Sequence, residues 1–390
     1  MRVAVVGAGV GALAMRRRLL SAKPNWDVVV YAADQEPPEN TPPESDRALG
    51  IWPRAWNAIA DVHDRLEPLA TVLPPAAYRN INGTWLSQAP PNAPERVAAV
   101  RESDLRSALL RTPTTTDSDV RWGCRVAGVD VDEGNARKLV VRIDGGEREG
   151  PFDVCVGADG ARSVVRLSVA GEVSTPVGTV SEAGWVSADD VRSLQLDGVP
   201  PFEVLAGRGR RLAFVPAGGH GDASFFATFP LASAHDEVAP MYADVFHPVP
   251  DLFARAVHAL RRDVHFEHAR PMYAPRQNVA LVGDAANSVG PNLAQGAAAA
   301  IEDASVLARL LARCDDDKDV GAALQEYSAA RSRRAARHRR VTAFTAMLAH
   351  RALDGWRDIM ALVPQPINGA IFRAALTHSL GPDLDDNDDL

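Results

Sequence analysis

Residues 7–12 are the part of this chain whose types and spacing point most directly to chemistry. They form a Gly-x-Gly-x-x-Ala segment between an apolar run and a helix-like stretch. Gly7 permits a tight turn, Gly9 lets the backbone approach a pyrophosphate, and the small Ala12 lets the helix pack close to the strand. The helix N-terminus would then face the anion. The spacing predicts dinucleotide binding, and a purely structural glycine-rich turn is the alternative.

Two further segments each place an aspartate directly after an apolar run. Asp159 and Gly160 follow the run at residues 153–157, and Gly283 and Asp284 follow the run at residues 278–282. Ligands of open α/β sheets bind at the carboxyl ends of the strands, so both carboxylates stand where a ligand would bind. The alternatives are an Asp-Gly turn for Asp159 and a helix cap for Asp284.

A predicted helix follows the third segment. Pro291 precedes Gly296 and Ala297, which open the helix. A helix N-terminus offers backbone N–H groups and the positive end of the helix dipole to an anionic or electron-rich group. A helix that only follows a loop is the alternative.

The surrounding sequence predicts the elements that position these segments. Residues 3–6, 12–22 and 28–31 predict a strand, a helix and a second strand, which is the start of a dinucleotide-binding fold. Residues 52–69 favour a helix, and residues 124–143 favour a hairpin. Residues 170–275 hold short alternating runs between glycine-rich turns, typical of an antiparallel sheet, with one helix at residues 251–262. A strand at 278–282 and a helix at 297–313 complete an α/β pattern.

Composition excludes several classes of protein. The 390 residues are 46% hydrophobic and 24% charged, which is ordinary for a globular chain and excludes a disordered or collagen-like one. The net charge of −8 disfavours nucleic acid as a partner. The three cysteines form no CxxC pair, which favours a reducing, cytoplasmic compartment. No run of 18 apolar residues occurs, so we expect no membrane span.

Together, the three segments resemble the motifs of a known enzyme family. In order and spacing they are similar to the GxGxxA, DG and GD motifs of the single-component FAD-dependent aromatic monooxygenases of the para-hydroxybenzoate hydroxylase type. The resemblance covers nearly the whole chain, because residues 327–331 resemble the family's Tyr-x-x-x-Arg helix. Residues 100–106 resemble its Arg-x-x-Leu segment. The implied fold is α/β, with a Rossmann-like FAD-binding domain, a second, mostly antiparallel β-sheet substrate domain and C-terminal helices.

The resemblance also implies how the chain divides into domains. Residues 1–75, 98–168 and 278–345 would form a discontinuous FAD-binding domain. Residues 76–97 and 169–277 would form the substrate domain, and residues 346–390 a C-terminal helical segment with an acidic tail.

Residue roles follow from the same resemblance. Asp284 would bind the ribityl chain of FAD, and Asp159 would serve the flavin and the transient nicotinamide. Pro291 would lie beside the reactive ring as a catalytic residue, together with Gly296, whose helix would stabilise negative charge on the flavin pyrimidine. The residues expected to bind FAD are Gly7, Gly9, Val10, Gly11, Ala12, Arg101, Asp159, Gly160, Gly283, Asp284, Gly296 and Ala297.

The implied reaction is a hydroxylation or epoxidation. NADH or NADPH would reduce FAD, O₂ would be trapped as a flavin C4a-hydroperoxide, and one oxygen atom would pass to a small aromatic or unsaturated organic substrate. We expect no metal, and a monomer or homodimer. A halogenase is disfavoured because its Trp-x-Trp-x-Ile-Pro string is absent. A flavin oxidase or reductase and a non-catalytic relative that has lost FAD are the alternatives.

Three positions depart from the family pattern. Ala32 stands where an acidic residue is expected to bind the adenosine ribose, and Asp34 is a possible substitute. Asn287 replaces the usual His after the GD motif, and Ala294 replaces the usual Gly before Gln295. We expect these departures to weaken FAD retention.

Other residues carry weaker signals. Arg47 matches a family segment near the flavin and substrate, with a solvated loop arginine as the alternative. Phe214 and Phe226 are candidates to line the substrate pocket, with a plain core role as the alternative. His265 and His268 have no further residues at the spacing of metal ligands, so we expect them not to bind a metal. The arginine run at residues 331–340 predicts a solvated helix face.

Overall fold

The computed structural model describes residues 1–36, 46–74, 77–88, 96–111, 120–135, 138–256, 261–276, 278–316, 319–347, 362–363, 367–370 and 374. The strands are β1 (Arg2–Val6), β2 (Asp27–Tyr31), β3 (Ala48–Ile51), β4 (Thr71–Leu73), β5 (Ala77–Asn80), β6 (Trp85–Ser87), β7 (Val97–Arg101), β8 (Val120–Arg121), β9 (Val126–Val131), β10 (Leu139–Ile143), β11 (Arg148–Phe152), β12 (Val154–Gly157), β13 (Thr175–Val186), β14 (Phe202–Gly207), β15 (Arg210–Pro216), β16 (Ala223–Pro230), β17 (Arg261–Glu267) and β18 (Val279–Leu281). The helices are α1 (Val10–Ala22), α2 (Pro53–Ala58), α3 (His63–Leu66), α4 (Glu102–Leu110), α5 (Val164–Ala170), α6 (Ala188–Ser193), α7 (Val238–Met241), α8 (Val249–Arg255), α9 (Asp284–Asn287), α10 (Gly296–Ala312) and α11 (Val320–Ala346).

A five-stranded parallel sheet holds the three motif strands side by side. Its order is β18-β12-β1-β2-β8. Val6 pairs with Gly157, and Gly157 with Leu281, so the carboxyl ends of β1, β12 and β18 align. The β-branched run of β1 is buried on both faces, as parallel strands covered by helices are. The strand–helix–strand start predicted from the sequence is confirmed.

Helices α1 and α10 pack closely because small residues meet between them. A Cβ atom added at Gly11 would lie 3.0 Å from the Cβ of Ala300, and one added at Gly283 would lie 2.8 Å from it. The close approach brings the N-termini of both helices to the ends of β1 and β18. The helix predicted at residues 297–313 is confirmed as α10.

A seven-stranded sheet forms the second layer of the molecule. Its order is β17-β13-β16-β15-β14-β5-β6, and all neighbours are antiparallel except β5 and β14. One face, which we call the core face, packs on α6, α7 and α8 through Val180, Phe214, Phe225 and Phe229 among others. Side chains alternate along each strand, so the other face carries Ser181, Glu203, Arg211, Ser224, Phe226, Thr228 and His265. We call this second face the polar face.

The structure corrects two predicted elements. The helix expected at residues 251–262 ends at Arg255, and Arg261–Glu267 is the edge strand β17. Pairing with β13 explains the difference, because Val264 lies beside Val180 in that ladder and alternates with charged neighbours. Residues 52–69 form short pieces, α2, α3 and 3₁₀ turns, rather than one helix.

Two three-stranded antiparallel sheets complete the fold of the described residues. One has the order β11-β10-β9 and contains the predicted hairpin, and the other has the order β3-β7-β4. The predicted α/β fold class is therefore confirmed. The predicted C-terminal segment at 346–390 lies mostly outside the described residues, and the division into domains stays a prediction. None of the described helices combines the length and apolar composition that crossing a membrane requires.

Candidate functional site

The turn after β1 depends on glycine at its first position. Gly7 has a φ of 108°, a backbone conformation that residues with a side chain rarely adopt. A Cβ atom there would lie 2.4 Å from the carbonyl oxygen of Ala158, at the end of β12. The Gly7 N–H donates to the carbonyl of Tyr31 at 2.8 Å. Gly7 therefore allows the first two motif segments to touch.

Three other glycines face open space. A Cβ atom at Gly9, Gly160 or Gly296 would meet no heavy atom within 4 Å. Helix α1 begins directly after Gly9 and α10 begins at Gly296, and neither N-terminus has a side-chain cap. Their first backbone N–H groups are thus available to a ligand, and both helix dipoles favour a negatively charged one.

Asp159 uses one carboxylate oxygen for structure and keeps the other apart. Its Oδ2 accepts hydrogen bonds from the backbone N–H of Val164 at 2.7 Å and of Val165 at 3.2 Å, at the start of α5. Its Oδ1 is buried and has no hydrogen-bond partner among the described residues. Burial raises the pKa of this carboxyl. One oxygen of Asp159 thus caps the turn, as the structural interpretation predicts. The other oxygen is free of such a role and is available to a ligand, so ligand binding stays a prediction.

Asp284 lies at the start of α9, after a glycine in the left-handed region. Gly283 has a φ of 58°, and the carboxyl of Asp284 follows it at the end of β18. Burial raises the pKa of Asp284 to about 6, while the charge of Arg47 opposes this shift. Its side chain is exposed to solvent, although enough protein surrounds the carboxyl to raise its pKa.

A buried ion network fixes the backbone that carries Asp284. The Gly283 N–H donates to Asp303 Oδ2 at 2.8 Å, and Asp303 Oδ1 accepts from Arg331 Nε at 2.5 Å. Arg331 also pairs with Glu302 at 3.1 Å. Although burial acts to raise it, Arg334 and Arg331 hold the pKa of Glu302 at about 2. The Tyr-x-x-x-Arg segment thus acts on the GD turn through Asp303.

We call the backbone of residues 7–12, together with Gly160, Asp284 and the N-terminus of α10, the cradle. It lies at the aligned strand ends of the parallel sheet. Ala12, Gly11 and Val10 are buried in the α1 start, and Ala297 follows Gly296 in the first turn of α10.

The Pro291 segment joins the cradle side to the polar face. The carbonyl of Pro291 accepts from Arg211 Nη2 at 3.0 Å, and Asn292 Oδ1 accepts from Nη1 at 3.1 Å. Arg211 is only 3% exposed, and its Nε lies 3.3 Å from Glu203 Oε2. Sequence reasoning missed Arg211 and Glu203. The available signal was a charge in two largely apolar strands, a glutamate in β14 and a pair of arginines at the start of β15.

Arg47 and Arg101 both reach the polar side. Arg47 Nε lies 2.6 Å from Glu102 Oε2, and its Nη1 lies 3.6 Å from Asp263. Arg101 Nη2 lies 2.6 Å from Asp222, and its guanidinium stacks 4.1 Å from the ring centre of Trp185. The structure therefore places neither arginine against residues 7–12, and their contacts with cofactor or substrate stay predictions.

The two candidate phenylalanines lie on opposite faces of the seven-stranded sheet. Phe214 is fully buried in the core face, where its ring stacks on Phe202 with centroids 5.3 Å apart. Phe226 lies on the polar face and keeps partial exposure, with its ring centroid 6.2 Å from that of His265. Alternation along the strands thus removes Phe214 from the site, and Phe226 stays a candidate.

Comparison with known families decides the kind of protein. A family model described as "FAD binding domain" matches residues 83–342. The chain belongs to this FAD-binding family. It is an FAD-dependent monooxygenase, which confirms the resemblance seen in its motifs.

Individual relatives span most of this FAD-dependent monooxygenase. The "FAD-dependent urate hydroxylase" of Klebsiella pneumoniae is 28% identical over 352 residues, which cover 85% of this chain and 86% of that protein. The "2-heptyl-3-hydroxy-4(1H)-quinolone synthase" of Pseudomonas aeruginosa is 28% identical over 80% of each chain. The structure of Klebsiella pneumoniae HpxO complexed with FAD and uric acid superposes with a TM-score of 0.79 at 24% identity, over 98% of both chains. This last likeness shows the fold.

The cradle suits FAD. Open glycines at the starts of α1 and α10 leave backbone donors for a pyrophosphate and for the flavin edge. Asp159 Oδ1, which has no hydrogen-bond partner among the described residues, and the carboxyl of Asp284 offer acceptors for hydroxyl groups. Backbone donors and carboxylate acceptors therefore lie at the same edge of the parallel sheet, and the role of each residue stays a prediction.

The three departures have structural partners of their own. Ala32 is 1% exposed, and its N–H donates to the carbonyl of Arg121 at 3.0 Å. Asn287 Oδ1 accepts from Arg339 Nη1 at 3.1 Å, on α11. Ala294 adopts a φ of 51°, the left-handed conformation that favours the glycine usual in this family. Whether FAD retention is weakened stays a prediction.

Proposed function

We propose that this FAD-dependent monooxygenase uses NADH or NADPH and O₂ to place one oxygen atom on a small aromatic substrate that carries polar groups. The substrate would bind between the cradle and the polar face, beside Pro291. The observation that carries the proposal is the buried charge and hydroxyl content of that face.

The polar face is unusual for a sheet surface that is covered by protein. Glu203 is 9% exposed and Arg211 is 3% exposed, while Ser181, Ser224 and Thr228 are buried beside them. The Oγ1 of Thr228 has no hydrogen-bond partner among the described residues. Buried polar groups cost free energy unless they are paired, so a face that keeps several of them suits a polar ligand.

Arg211 would act on the substrate region through charge and position. Its guanidinium holds the carbonyl of Pro291 and the side chain of Asn292, so the loop beside the substrate is tied to the sheet. The nearby Arg47 is held by Glu102 and points to the same region. Both guanidiniums are paired with carboxylates, so the region carries hydrogen-bond donors without net positive charge, which favours a substrate rich in hydrogen-bond acceptors.

The cradle would hold FAD by its backbone. The N-terminus of α1 would bind the pyrophosphate, Asp284 the ribityl hydroxyls, and the N-terminus of α10 the electron-rich edge of the flavin. FAD, when bound, supplies the chemistry: it accepts a hydride and activates O₂ for transfer of one oxygen atom. The chain's own part is to orient the partners and exclude water.

The relatives support a polar aromatic substrate. One relative is named for urate and another for a hydroxylated quinolone, and both names describe flat heteroaromatic rings with polar edges. Neither compound is assigned to this chain.

The test begins with an absorption spectrum of the purified, desalted protein, before and after FAD is added. NADH or NADPH should bleach the flavin bands. We then test uric acid, para-hydroxybenzoate and 4(1H)-quinolone. At least one of them should speed the oxidation of NADH or NADPH and gain one ¹⁸O atom from ¹⁸O₂.

Other outcomes identify the alternatives. Nicotinamide or substrate oxidation without oxygen incorporation, for every compound, would indicate a flavin reductase or oxidase. A colourless protein that takes up no FAD would indicate a relative that has lost its cofactor, and the proposal would be rejected.

A further inference from the structure

His265 lies on the polar face and has no part in the function described so far. It belongs to the edge strand β17, where Asp263 and His265 alternate with Val264 and so face the cradle side. Asp263 pairs with Ser181 across the ladder, which brings the imidazole next to β13. Its Nε2 lies 2.7 Å from the Oγ of Ser181.

One ring nitrogen is therefore fixed and the other is available. Nδ1 has no hydrogen-bond partner among the described residues, and it is not among the buried unpaired atoms. The ring also keeps partial exposure, as does its neighbour Phe226, whereas Phe225 and Ala227 on the core face are fully buried. His265 and Phe226 thus line open space on the polar face.

Burial, supported by two nearby arginines, keeps His265 neutral. Burial lowers its pKa to about 4; the carboxylate of Asp263 acts to raise it, and the charges of Arg47 and Arg211 lower it further. Arg261, on the same strand, is held by Asp263 at 2.9 Å. A neutral imidazole offers a donor or an acceptor at Nδ1 without adding charge to a region whose two arginines are already paired with carboxylates.

We propose that His265, oriented by Ser181, is a substrate-binding residue whose Nδ1 hydrogen-bonds the polar edge of an aromatic substrate stacked near Phe226. The inference rests on the proposed function and identifies a side chain that recognises the substrate. The ligand class is a flat aromatic ring that carries a hydroxyl, carbonyl or ring-nitrogen group at its edge. The role is binding and orientation, with no transfer of a proton.

A structural role is the competing explanation, because the bond to Ser181 also ties the edge strand to β13. Four variants separate the two roles. His265→Leu removes both nitrogens, and His265→Asn keeps a hydrogen-bonding group near the place of Nδ1. Ser181→Ala releases the ring while leaving Nδ1 present. Val264→Ala, on the other face of the same strand and 41% exposed, is the matched control.

Binding is measured on the FAD-loaded protein as the shift of the flavin spectrum during titration with uric acid, para-hydroxybenzoate and 4(1H)-quinolone. KM and kcat are measured with the compound that is turned over. FAD content and Tm are recorded for every variant, so that loss of fold or cofactor is seen separately from loss of substrate binding.

The expected result is a split between binding and cofactor content. His265→Leu should raise Kd and KM at least about tenfold while FAD content and Tm stay near those of the starting protein. His265→Asn should recover most of the binding, Ser181→Ala should have an intermediate effect, and Val264→Ala should have none. Between pH 6 and 8 His265 stays neutral, so we expect its contribution to KM to be the same throughout this range.

Two results would overturn the inference. One is unchanged Kd and KM in His265→Leu, and the other is a His265→Asn variant as impaired as His265→Leu. Failure of the panel to bind to an FAD-loaded protein would also reject the ligand class. A protein that takes up no FAD would instead reject the proposed function, so the two failures are distinguishable.

Discussion

The cradle and the polar face meet at one site but are built in different ways. The cradle is made mainly of backbone, at the adjacent ends of three parallel strands and two helices. The polar face is made of side chains from strands far apart in the chain, joined by Arg211 to Pro291. Backbone geometry accepts few residue types, whereas a side-chain surface can change its charge while the sheet stays intact. We therefore expect cofactor binding to depend on shape and substrate binding to depend on charge.

The largest expected effect tests the backbone part of this comparison with two glycines of the same turn. Gly7→Val should prevent stable folding, because its φ of 108° is strained and its Cβ would lie 2.4 Å from the Ala158 carbonyl oxygen. We expect a loss of roughly 3 kcal/mol or more from clash and strain. Gly9→Val should fold normally, since nothing lies within 4 Å of its Cβ, yet lose FAD.

The measurement is urea unfolding of both variants, followed by FAD titration of the folded one. Tight FAD binding by Gly9→Val would show that the open space beside Gly9 is not where the pyrophosphate lies. Equal stability losses in the two variants would contradict the difference in their surroundings.

Removal of the two buried arginines compares the regions directly. Arg331→Met would leave Asp303 buried without its cationic partner and Glu302 paired with Arg334 alone. Arg211→Met would leave Glu203 buried without its cationic partner. Each should cost about 3–5 kcal/mol of stability. Arg331→Met should also lower FAD retention, since Asp303 holds the Gly283 N–H.

Arg211→Met should keep more FAD than Arg331→Met and lose substrate binding instead. FAD content per folded protein and the Kd of an aromatic ligand give the two readings. Glu203→Gln added to Arg211→Met serves as the control, because a neutral amide in place of the unpaired carboxylate should restore part of the stability. Equal FAD loss in both arginine variants would contradict the proposal that the cradle binds FAD and the polar face binds the substrate.

The same division explains what the sequence could predict. The three motif segments are local, so their positions at neighbouring strand ends followed from spacing alone, and α1, β1 and α10 were found. The hydrogen bond between Arg211 and Asn292 joins residues 81 positions apart, so no local sequence pattern predicts that the two side chains meet. The first two residues of β17, Arg261 and Arg262, were assigned to the end of a helix because their partner strand, β13, lies some 80 residues earlier. Phe214 and Phe226 could be separated only once the facing of their strands was known.

A smaller effect is expected at Asp284, where function opposes stability. Its pKa of about 6, against 3.8 for a free carboxyl, means that the folded protein takes up a proton as the pH falls from about 6 to 4. The FAD-free protein should therefore become less stable as the pH rises through this window. Asp284→Asn should remove that slope and raise Tm at pH 7, while weakening FAD binding.

Thermal unfolding of the FAD-free protein between pH 4 and 7 tests this expectation. The matched control is Asp104→Asn, another carboxyl whose pKa burial raises but which lies outside the cradle. It should leave in place the part of the pH slope that Asp284 contributes. A pH slope that survives in Asp284→Asn would assign the titration to another group.

The smallest expected effect concerns Ala294, where the chain keeps a left-handed backbone without the usual glycine. Its φ of 51° costs an L-residue about 1 kcal/mol, whereas glycine adopts it freely but loses about 0.4–1 kcal/mol through the entropy of the unfolded chain. Ala294→Gly should therefore range from neutral to slightly stabilising. Ala299→Gly, in the right-handed turn of α10, should cost about 1 kcal/mol. Urea unfolding of the pair measures the difference, and equal losses would mean that residue 294 is not left-handed in solution. Since this segment carries Pro291, a gain in FAD retention in Ala294→Gly would further show that backbone strain, rather than side-chain charge, limits the cradle.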